Sequence, residues 1–342
     1  MSNKKVSIYD IADYLGIASS TVSRALNDHA RISEKTKEEV RRVAKVLGFE
    51  KNHLATGLIT NQSLTIGVVV PAVNRNFFAS AITGIEKIAS ENGYTVLICQ
   101  SHDLYDREVE LFDTLIANRV DGIIVSLAIN TEQFDHFRKA RDTGIPLVFF
   151  DRVCDEIEDT FKIVVKDFEG AYLGTSHLAE QGFKRIAHIA GYQSQKIFRD
   201  RLAGYKQALL DANLPYDEKL VKYCQLTTED GTGIAEELLQ HPPGPDAFFC
   251  ANNLTAISAM AYALNHHIKV PQEMGIVGFS EETVSSLLKP SVTSVRQPCE
   301  EMGTLAAQKL LEEINQEPTG QLDFKEIALS TELIVRESST PH

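Results

Sequence analysis

The stretch GIASSTVSRALN (residues 16–27) joins two short helical patterns, at about Tyr9 to Leu15 and Ser20 to Leu26. A third pattern follows at Glu34 to Leu47, with Ser33 as its N-cap. Helices that cross closely at a tight turn need small residues at the crossing and apolar anchors beside it. The residues expected in these roles are Ala12 and Gly16 at the crossing and Ile11, Leu15, Ile17, Val22 and Ala25 as anchors. The pattern predicts an all-α helix-turn-helix unit, and an ordinary helical hairpin is the alternative.

The second helical pattern carries a polar face that is too short and too uncharged to act mainly in solubility. Its members are Ser19, Ser20, Thr21, Ser23, Arg24 and Asn27. Hydroxyl groups of this kind contact phosphates and base edges, and an arginine can donate two hydrogen bonds to O6 and N7 of guanine. The face therefore predicts a helix that lies in the major groove of DNA, with Arg24 opposite a guanine.

Charge is distributed unevenly along the 342 residues, whose net charge is −13. Residues 1–60 carry 10 Lys and Arg against 7 Asp and Glu, a net charge of +3, whereas residues 61–342 carry 24 against 40, a net charge of −16. The five cysteines show no CxxC spacing, which favours reduced core residues. No apolar run approaches the length of a membrane helix, and the first residues do not form an export signal. We expect a cytoplasmic protein with no membrane association.

Short apolar runs alternate with helical patterns from Leu64 onward. Runs without polar alternation are typical of parallel strands that helices cover on both faces. The expected strands are TIGVVV (65–70), TVLIC (95–99), GIIVS (122–126), PLVFFD (146–151), RIAHIA (185–190), AFFCAN (247–252) and GIVGF (275–279). Their repetition predicts an α/β body of two doubly wound parallel-sheet lobes around a cleft.

Motifs of enzymes are missing from this body. The first strand runs into GVVVPAVNRN (67–76), which lacks the glycines that let a dinucleotide approach, and GxxxxGK[ST], GxSxG and HExxH do not occur. His266 and His267 are adjacent, so they point apart on a helix and disfavour a metal site. We expect no enzyme, no cofactor and no metal ion. A sugar-binding protein without DNA regulation is the alternative, although it would need an export signal and would not need residues 1–60.

Two parts of the chain resemble the LacI/GalR family of bacterial transcriptional regulators. VSIYDIADYLGIASSTVSRALN and RISEKTKEEVRRVAKVLGF are similar to its DNA-binding domain, and RLAGY (201–205), VPQEMGIVGF (270–279) and MGTLAAQKLL (302–311) are similar to its effector domain. The resemblance implies a head over residues 1–50, a hinge over 51–63 and a periplasmic-binding-protein-like body over 64–342. It implies one lobe at about 64–160 plus 293–328 and another at about 161–292.

The resemblance also implies a function and an assembly. It describes a repressor whose affinity for a palindromic operator is switched by a small ligand in the cleft, a sugar or sugar derivative. Asn253 and Ser280 stand where the family often has aspartate, which leaves an atypical sugar, a sugar phosphate, a glycoside or a nucleobase open as the ligand. Two heads on two half-sites imply a homodimer, and the tail lacks the leucine heptads of a tetramer.

DNA contacts are expected in the head and the hinge. The resemblance assigns base selection to Ser19, Ser20 and Arg24, phosphate or flanking contacts to Ser7, Thr21, Ser23, Asn27 and Arg31, and hinge contacts to Asn52, Leu54, Ala55 and Leu58. Leu58 matches a leucine that wedges into the minor groove. Helix capping by Thr21 and Asn27 and a plain flexible linker at 51–63 remain alternatives.

The resemblance also implies ligand contacts at strand ends and in the loops after them. The residues are Phe77, Phe78, Asp151, Arg152, Gln195, Arg201, Leu226, Asn252 and Ser280. The two phenylalanines are either a stacking surface for a sugar ring or ordinary core residues. Asp151 directly follows a strand, so its carboxylate can accept hydrogen bonds from ligand hydroxyl groups, while Arg201 matches the family arginine that grips the ligand. An ion-pair network between the lobes is the alternative for Asp151, Arg152 and Arg201.

Overall fold

The computed structural model describes residues 6–49, 62–240, 242–316 and 323–341. The chain divides into two compact units, Met1–Ser63 and Leu64–His342. Among the described residues, no helix is both long enough and apolar enough to span a lipid bilayer.

The first unit is the predicted three-helix head. Its helices are α1 (Ile8–Leu15), α2 (Ser19–Leu26) and α3 (Glu34–Leu47). Ser33 caps α3 as expected, because its hydroxyl oxygen accepts a hydrogen bond of 3.2 Å from the Thr36 N–H. The predicted anchors form the core, in which Ile11, Val22 and Ala25 are completely buried against α3.

Gly16 plays a different part from the predicted one. It ends α1 in the left-handed conformation, with φ of 65°, and its N–H donates to the Ala12 carbonyl. A Cβ at this position would meet no atom within 4 Å. The turn therefore needs glycine for its backbone conformation and not for a close crossing of the helices.

The second unit contains two six-stranded sheets, each covered by helices. The first sheet is entirely parallel, in the order β11-β5-β4-β3-β1-β2. Its strands are β1 (Thr65–Val70), β2 (Thr95–Gln100), β3 (Gly122–Val125), β4 (Leu147–Phe150), β5 (Phe161–Val165) and β11 (Glu326–Leu329). The helices of this lobe are α4 (Asn76–Glu91), α5 (Tyr105–Ala117), α6 (Asp135–Asp142) and α11 (Cys299–Ile314).

The second sheet has the order β12-β10-β9-β8-β6-β7 and is parallel except for the β10–β12 pair. Its strands are β6 (Ile186–Gly191), β7 (Val221–Cys224), β8 (Ala247–Cys250), β9 (Gly275–Phe279), β10 (Thr293–Arg296) and β12 (Glu332–Ile334). The helices of this lobe are α7 (Asp167–Glu180), α8 (Lys196–Asp211), α9 (Thr228–Gln240) and α10 (Asn253–Asn265). The two sheets confirm the predicted fold class.

The sheets correct the predicted lobe boundaries at two strands. β5 was assigned to the second lobe, but it pairs with β4 in the first sheet, and β10 was assigned to the first lobe, but it pairs with β9 in the second. The β4–β5 connection contains no helix, so the sequence pattern that marks a βαβ unit is missing there. In the described residues the chain passes between the lobes three times, at 166, 297–298 and 330–331.

Helices α4 and α11 of the first lobe pack against each other at very short range. A Cβ at Gly303 of α11 would lie 1.9 Å from the Ala81 carbonyl oxygen of α4. A Cβ at Gly84 of α4 would lie 2.1 Å from the Glu300 carbonyl oxygen. The two glycines therefore permit an approach of the two backbones that no side chain would allow.

Strand β2 departs from the expectation that helices cover both faces of every strand. It lies at the edge of the first sheet, where Leu97 is 40% exposed and Ile98 is 46% exposed. The apolar sequence of β2 is similar to the sequences of the central strands. The sequence pattern therefore does not distinguish a covered strand from an uncovered one.

Candidate functional sites: the α2 face and the cleft

The predicted polar face of α2 is accessible. Ser20, Arg24 and Asn27 are exposed, while Ser19, Thr21 and Ser23 are partly buried beside the core residues Val22 and Ala25. None of the six polar side chains has a hydrogen bond or ion pair to another described residue of the head. Arg31, after the helix, is exposed and likewise makes no side-chain bond to them. The face keeps its donors and acceptors available for an external partner.

Three cations of α3 are paired. The Arg41 guanidinium lies 2.6 Å from Asp28, Arg42 lies 2.7 Å from Glu39, and Lys37 lies 2.7 Å from Glu34. The Arg24 side chain makes no such pair with the described residues, which distinguishes it from these three cations.

Capping does not occupy Thr21 or Asn27. The N-cap of α2 is Ala18, which has no side chain to cap with, and the first turn contains no acidic residue. Asn27 stands at the C-cap through its backbone N–H alone. The first N–H groups of α2 can therefore meet a phosphate, since a helix N-terminus favours anions.

Ser7 is the N-cap of α1, and its hydroxyl donates a hydrogen bond of 2.6 Å to Asp10, whose carboxylate also accepts from the Ser7 N–H at 2.7 Å. The side chain thus has a structural role in the head. The predicted hinge contacts, Asn52, Leu54, Ala55 and Leu58, lie outside the described residues.

A cleft of about 580 Å³, part of it open to solvent, lies between the two sheets at the carboxyl ends of their strands. Eight of the nine predicted ligand contacts line it. They are Phe77, Phe78, Asp151, Arg152, Arg201, Leu226, Asn252 and Ser280. The further lining residues, which sequence reasoning missed, are Arg75, Ile129, Ile197, Phe198, Gln225, Asn253, Leu254, Glu282 and Gln297. Two of these, Gln225 and Gln297, directly follow strands β7 and β10, and the apolar runs of the sequence predict neither strand.

Gln195 is the predicted contact that does not line the cleft. It is 4% exposed, and its amide donates hydrogen bonds of 3.1 and 3.4 Å to the carbonyl oxygens of Ile129 and Ala128. Because Gln195 precedes α8 of the second lobe and its partners follow β3 of the first, it ties the lobes together.

Arg201 is held rigidly at the floor of the cleft. Its guanidinium donates to Asp167 at 2.7 Å and to the Ala251 carbonyl oxygen at 2.7 Å, and it lies 3.8 Å from the centre of the Phe279 ring. Burial raises the pKa of the Asp167 carboxyl to about 6, although the Arg201 charge opposes the shift. A cation fixed in this way can donate to a ligand at little entropic cost.

Asp151 and Arg152 lie side by side after β4 and are both nearly buried. Among the described residues, the Asp151 carboxylate accepts one hydrogen bond, of 3.4 Å, from the Ser126 hydroxyl, and burial raises the pKa of its carboxyl. Arg152 pairs with Asp103 and donates to the Leu127 carbonyl oxygen. Arg152 and Asp103 belong to the first lobe, as Arg201 and Asp167 belong to the second, so these pairs lie within the lobes and do not form the interlobe network considered above.

The amide side chains of the second lobe are largely engaged in the fold. Asn252 caps α10, because its side-chain oxygen accepts from the Thr255 N–H at 2.9 Å, and its amide group donates to the Leu226 carbonyl oxygen. Asn253, which is 1% exposed, is hydrogen-bonded to Ser285 and Ser294. These bonds leave Asn252 little capacity for a ligand.

Phe77 and Phe78 are core residues of the first lobe, and they also form part of the surface of the cleft. They are 7% and 2% exposed, pack edge to face at 5.0 Å in the core of the first lobe, and still line the cleft.

The described residues contain no group of three or more His, Cys, Asp or Glu side chains that could hold a metal ion.

Comparisons with known proteins match both units. Residues 7–52 match the family described as "Bacterial regulatory proteins, lacI family", and residues 63–327 match "Periplasmic binding proteins and sugar binding domain of LacI family". A curated relative, the HTH-type transcriptional regulator CelR of Thermobifida fusca, is 32% identical over 335 residues, which is 96% of either chain.

Solved structures agree with the sequence matches. A lac repressor dimer bound to operator and the anti-inducer ONPF has a TM-score of 0.86 at 25% identity and covers 98% of this chain and 99% of its own. A complex of CelR with cellobiose has a TM-score of 0.74 at 29% identity and covers 98% and 100%. The chain therefore belongs to the LacI family of bacterial regulatory proteins, and it is a DNA-binding transcriptional regulator and not an enzyme.

Proposed function

We propose that this regulator is a repressor that binds a twofold-symmetric operator through α2 and changes its operator affinity when a sugar-like ligand occupies the cleft. The observation that carries the DNA part is Arg24, an exposed arginine on the small polar face of α2 that has no ion pair to the described residues of the head. An arginine in this state can donate two hydrogen bonds to guanine without first breaking a bond to its own protein. Ser19 and Ser20 lie beside it for base edges, and Thr21, Ser23, Asn27 and Arg31 serve phosphates.

The cleft suits a ligand with several hydroxyl groups. Asp151 has capacity to accept hydrogen bonds from them, the fixed Arg201 guanidinium can donate, and the Phe77 and Phe78 rings offer an apolar surface for a sugar ring. The CelR relative was solved with cellobiose, which supports a carbohydrate as the class of ligand. Binding between the lobes favours one degree of closure and so changes the affinity for operator by linkage.

The twofold symmetry proposed for the operator and the exposed apolar edge of strand β2 both support a homodimer. Strand β2 leaves Leu97 and Ile98 exposed along an unpaired sheet edge, and a second copy that covered them would remove this apolar surface from water. The lac repressor to which the chain is similar was solved as a dimer on its operator. Because the operator is bacterial DNA, we propose the cytoplasm as the site of action.

Selection of bound sequences from a random duplex pool tests this function. The full chain is used at low salt, with and without a panel of sugars, and the selected sites are then titrated. We expect a palindrome with one conserved G·C pair per half-site, and occupancy that one compound of the panel changes. Failure to enrich any site, with or without ligand, would contradict sequence-specific binding, and a site without twofold symmetry would contradict the dimer.

A further inference from the structure

Three side chains of the cleft carry hydrogen-bond donors that the described residues leave unused. Arg152 and Gln297 are 5% and 4% exposed, and the Arg152 Nε and the Gln297 side-chain nitrogen are buried without a hydrogen-bond partner there. The Gln297 side-chain oxygen, in contrast, accepts from the Ser280 hydroxyl at 2.5 Å. Arg75 is half-buried and lines the same cleft, and its guanidinium has no hydrogen bond or ion pair to the described residues. A buried unpaired donor is costly unless a ligand or an ordered water molecule satisfies it.

Two of these three side chains, Arg75 and Arg152, are cations, although Arg152 also pairs with Asp103. Burial lowers the pKa of the Arg75 guanidinium, and the charge of Arg152 lowers it further, so the two cations are close enough to repel each other. Such a pair is stabilised by an anion that lies against both.

The backbone at the start of α4 also favours an anion in the cleft. Arg75 immediately precedes α4, a helix of 16 residues, which has neither a side-chain cap nor an acidic residue in its first turn. Phe77 and Phe78 of that first turn line the cleft, so the positive end of the helix is directed at it.

The acidic groups nearby do not neutralise Arg75. Asp103 is paired with Arg152, and neither Asp151 nor Glu282 lies within ion-pair distance of the Arg75 guanidinium. Glu282 approaches from the second lobe, and its burial raises the pKa of its carboxyl, although Arg75 and the Asn76 N–H oppose the shift. The charges of Asp103, Glu282 and Asp151 thus act on Arg75 from a distance, but no described carboxylate forms an ion pair with its guanidinium.

We infer that the cleft contains an anionic subsite, in which a phosphate or carboxylate group of the ligand binds Arg75 beside Arg152 and the start of α4. The hydroxylated part of the same ligand then faces Asp151 and Arg201. This inference rests on the proposed function of the cleft and names the class of its ligand, a phosphorylated or acidic sugar.

Calorimetric titration of the full chain tests the subsite with matched probes. The panel contains hexoses and cellobiose as neutral compounds, hexose 6-phosphates and hexuronates as their charged forms, and inorganic phosphate as a competitor. The Arg75→Met variant removes the charge and retains a chain of similar length, and its melting temperature should be unchanged because the Arg75 side chain makes no hydrogen bond or ion pair to the described residues. Arg119→Met is the control, since Arg119 is exposed and does not line the cleft.

We expect at least one charged probe to bind about tenfold or more tightly than its neutral parent, and inorganic phosphate to compete with it. Arg75→Met should abolish this preference while Arg119→Met retains it. Preference for 6-phosphates over hexuronates, or the reverse, identifies which anion the subsite takes. Neutral sugars that bind as tightly as their charged forms, charged probes that do not bind at all, or an unchanged preference in Arg75→Met would overturn the subsite. A neutral sugar that still releases the operator would leave the proposed function intact.

Discussion

Arg24 is the residue on which operator reading depends most directly. Replacing it by alanine removes both donors to guanine, so we expect operator affinity to fall by about tenfold or more and base preference to relax at one base pair per half-site. Competitive titration with operators altered at that base pair measures both effects.

Arg42→Ala is the matched control for this experiment, because Arg42 is also an exposed arginine of the head but is paired with Glu39. It should leave base preference unchanged. A selected site that keeps the same G·C preference with Arg24→Ala would show that another residue reads this position.

The buried pair of Arg201 and Asp167 predicts a pH-dependent loss of stability. In Arg201→Met the Asp167 carboxylate stays buried without its partner, which costs about 3–5 kcal/mol of unfolding free energy at pH 7.5. The pKa of Asp167 is already raised to about 6 by burial and must rise further without Arg201. As the pH falls from 7.5 to 5.5, the folded variant takes up a proton that the unfolded chain does not, so stability is regained.

Denaturant unfolding at the two pH values tests this expectation. The double variant Asp167→Asn with Arg201→Met is the control, because it has no carboxyl to protonate and should show no recovery at pH 5.5 relative to wild type. An equal loss at both pH values in the single variant would mean that lost packing, and not the unpaired charge, is the cause.

At the scale of elements, the contact of α4 with α11 should be intolerant of any side chain. Gly303→Ala places a Cβ 1.9 Å from the Ala81 carbonyl oxygen, so the helices must separate, and we expect a loss of about 1–3 kcal/mol in unfolding free energy. Gly233→Ala in α9 is the control, because a Cβ there meets no atom within 4 Å and alanine is the better helix former. It should leave stability unchanged or raise it, and equal losses in both variants would refute the role of the close contact.

The sequence predicted the strands that are apolar throughout, including β2, and missed three of the four strands at sheet edges. β1, β3, β4, β6, β8 and β9 are continuous apolar runs in the interior of a sheet and were all found. β7, β11 and β12 lie at edges, where partial exposure permits polar residues and breaks the pattern. β5 and β10 adjoin passages between the lobes, and local patterns do not carry information about which sheet a strand joins.

The residues that line the cleft could also be predicted in part from the sequence. Asp151 and Arg152 were found because they follow a strand, which places them at one edge of a parallel sheet, whereas Asn252 and Ser280 were found because they match positions of the family. That Asn252 caps α10 and that Asp167 neutralises Arg201 depends on distances between separate elements. Gln297 was missed because it lies in a passage between the lobes, whose course the pattern does not reveal.

For the whole molecule, the exposed edge of β2 leads to a test of the proposed dimer. Ile98→Asp places a charge in the surface that a second copy would cover, so we expect a monomer by light scattering and markedly weaker operator binding, since a single head contacts one half-site. Leu210→Asp is the control, because Leu210 is 68% exposed on α8 and lies outside β2. A dimer that persists in Ile98→Asp would require a different interface.

The three passages between the lobes also determine the order in which the body can fold during translation. The first lobe needs α11 and β11, and these leave the ribosome only after the whole of the second lobe up to β10 has been made. Until then the face of α4 that packs against α11, including Gly84, has no partner within the nascent chain. The second lobe, which lacks only β12 and the residues after it, can become compact earlier. The first lobe, although it is encoded first, is therefore completed only near the end of synthesis, and its unfinished core is the surface that a chaperone would meet.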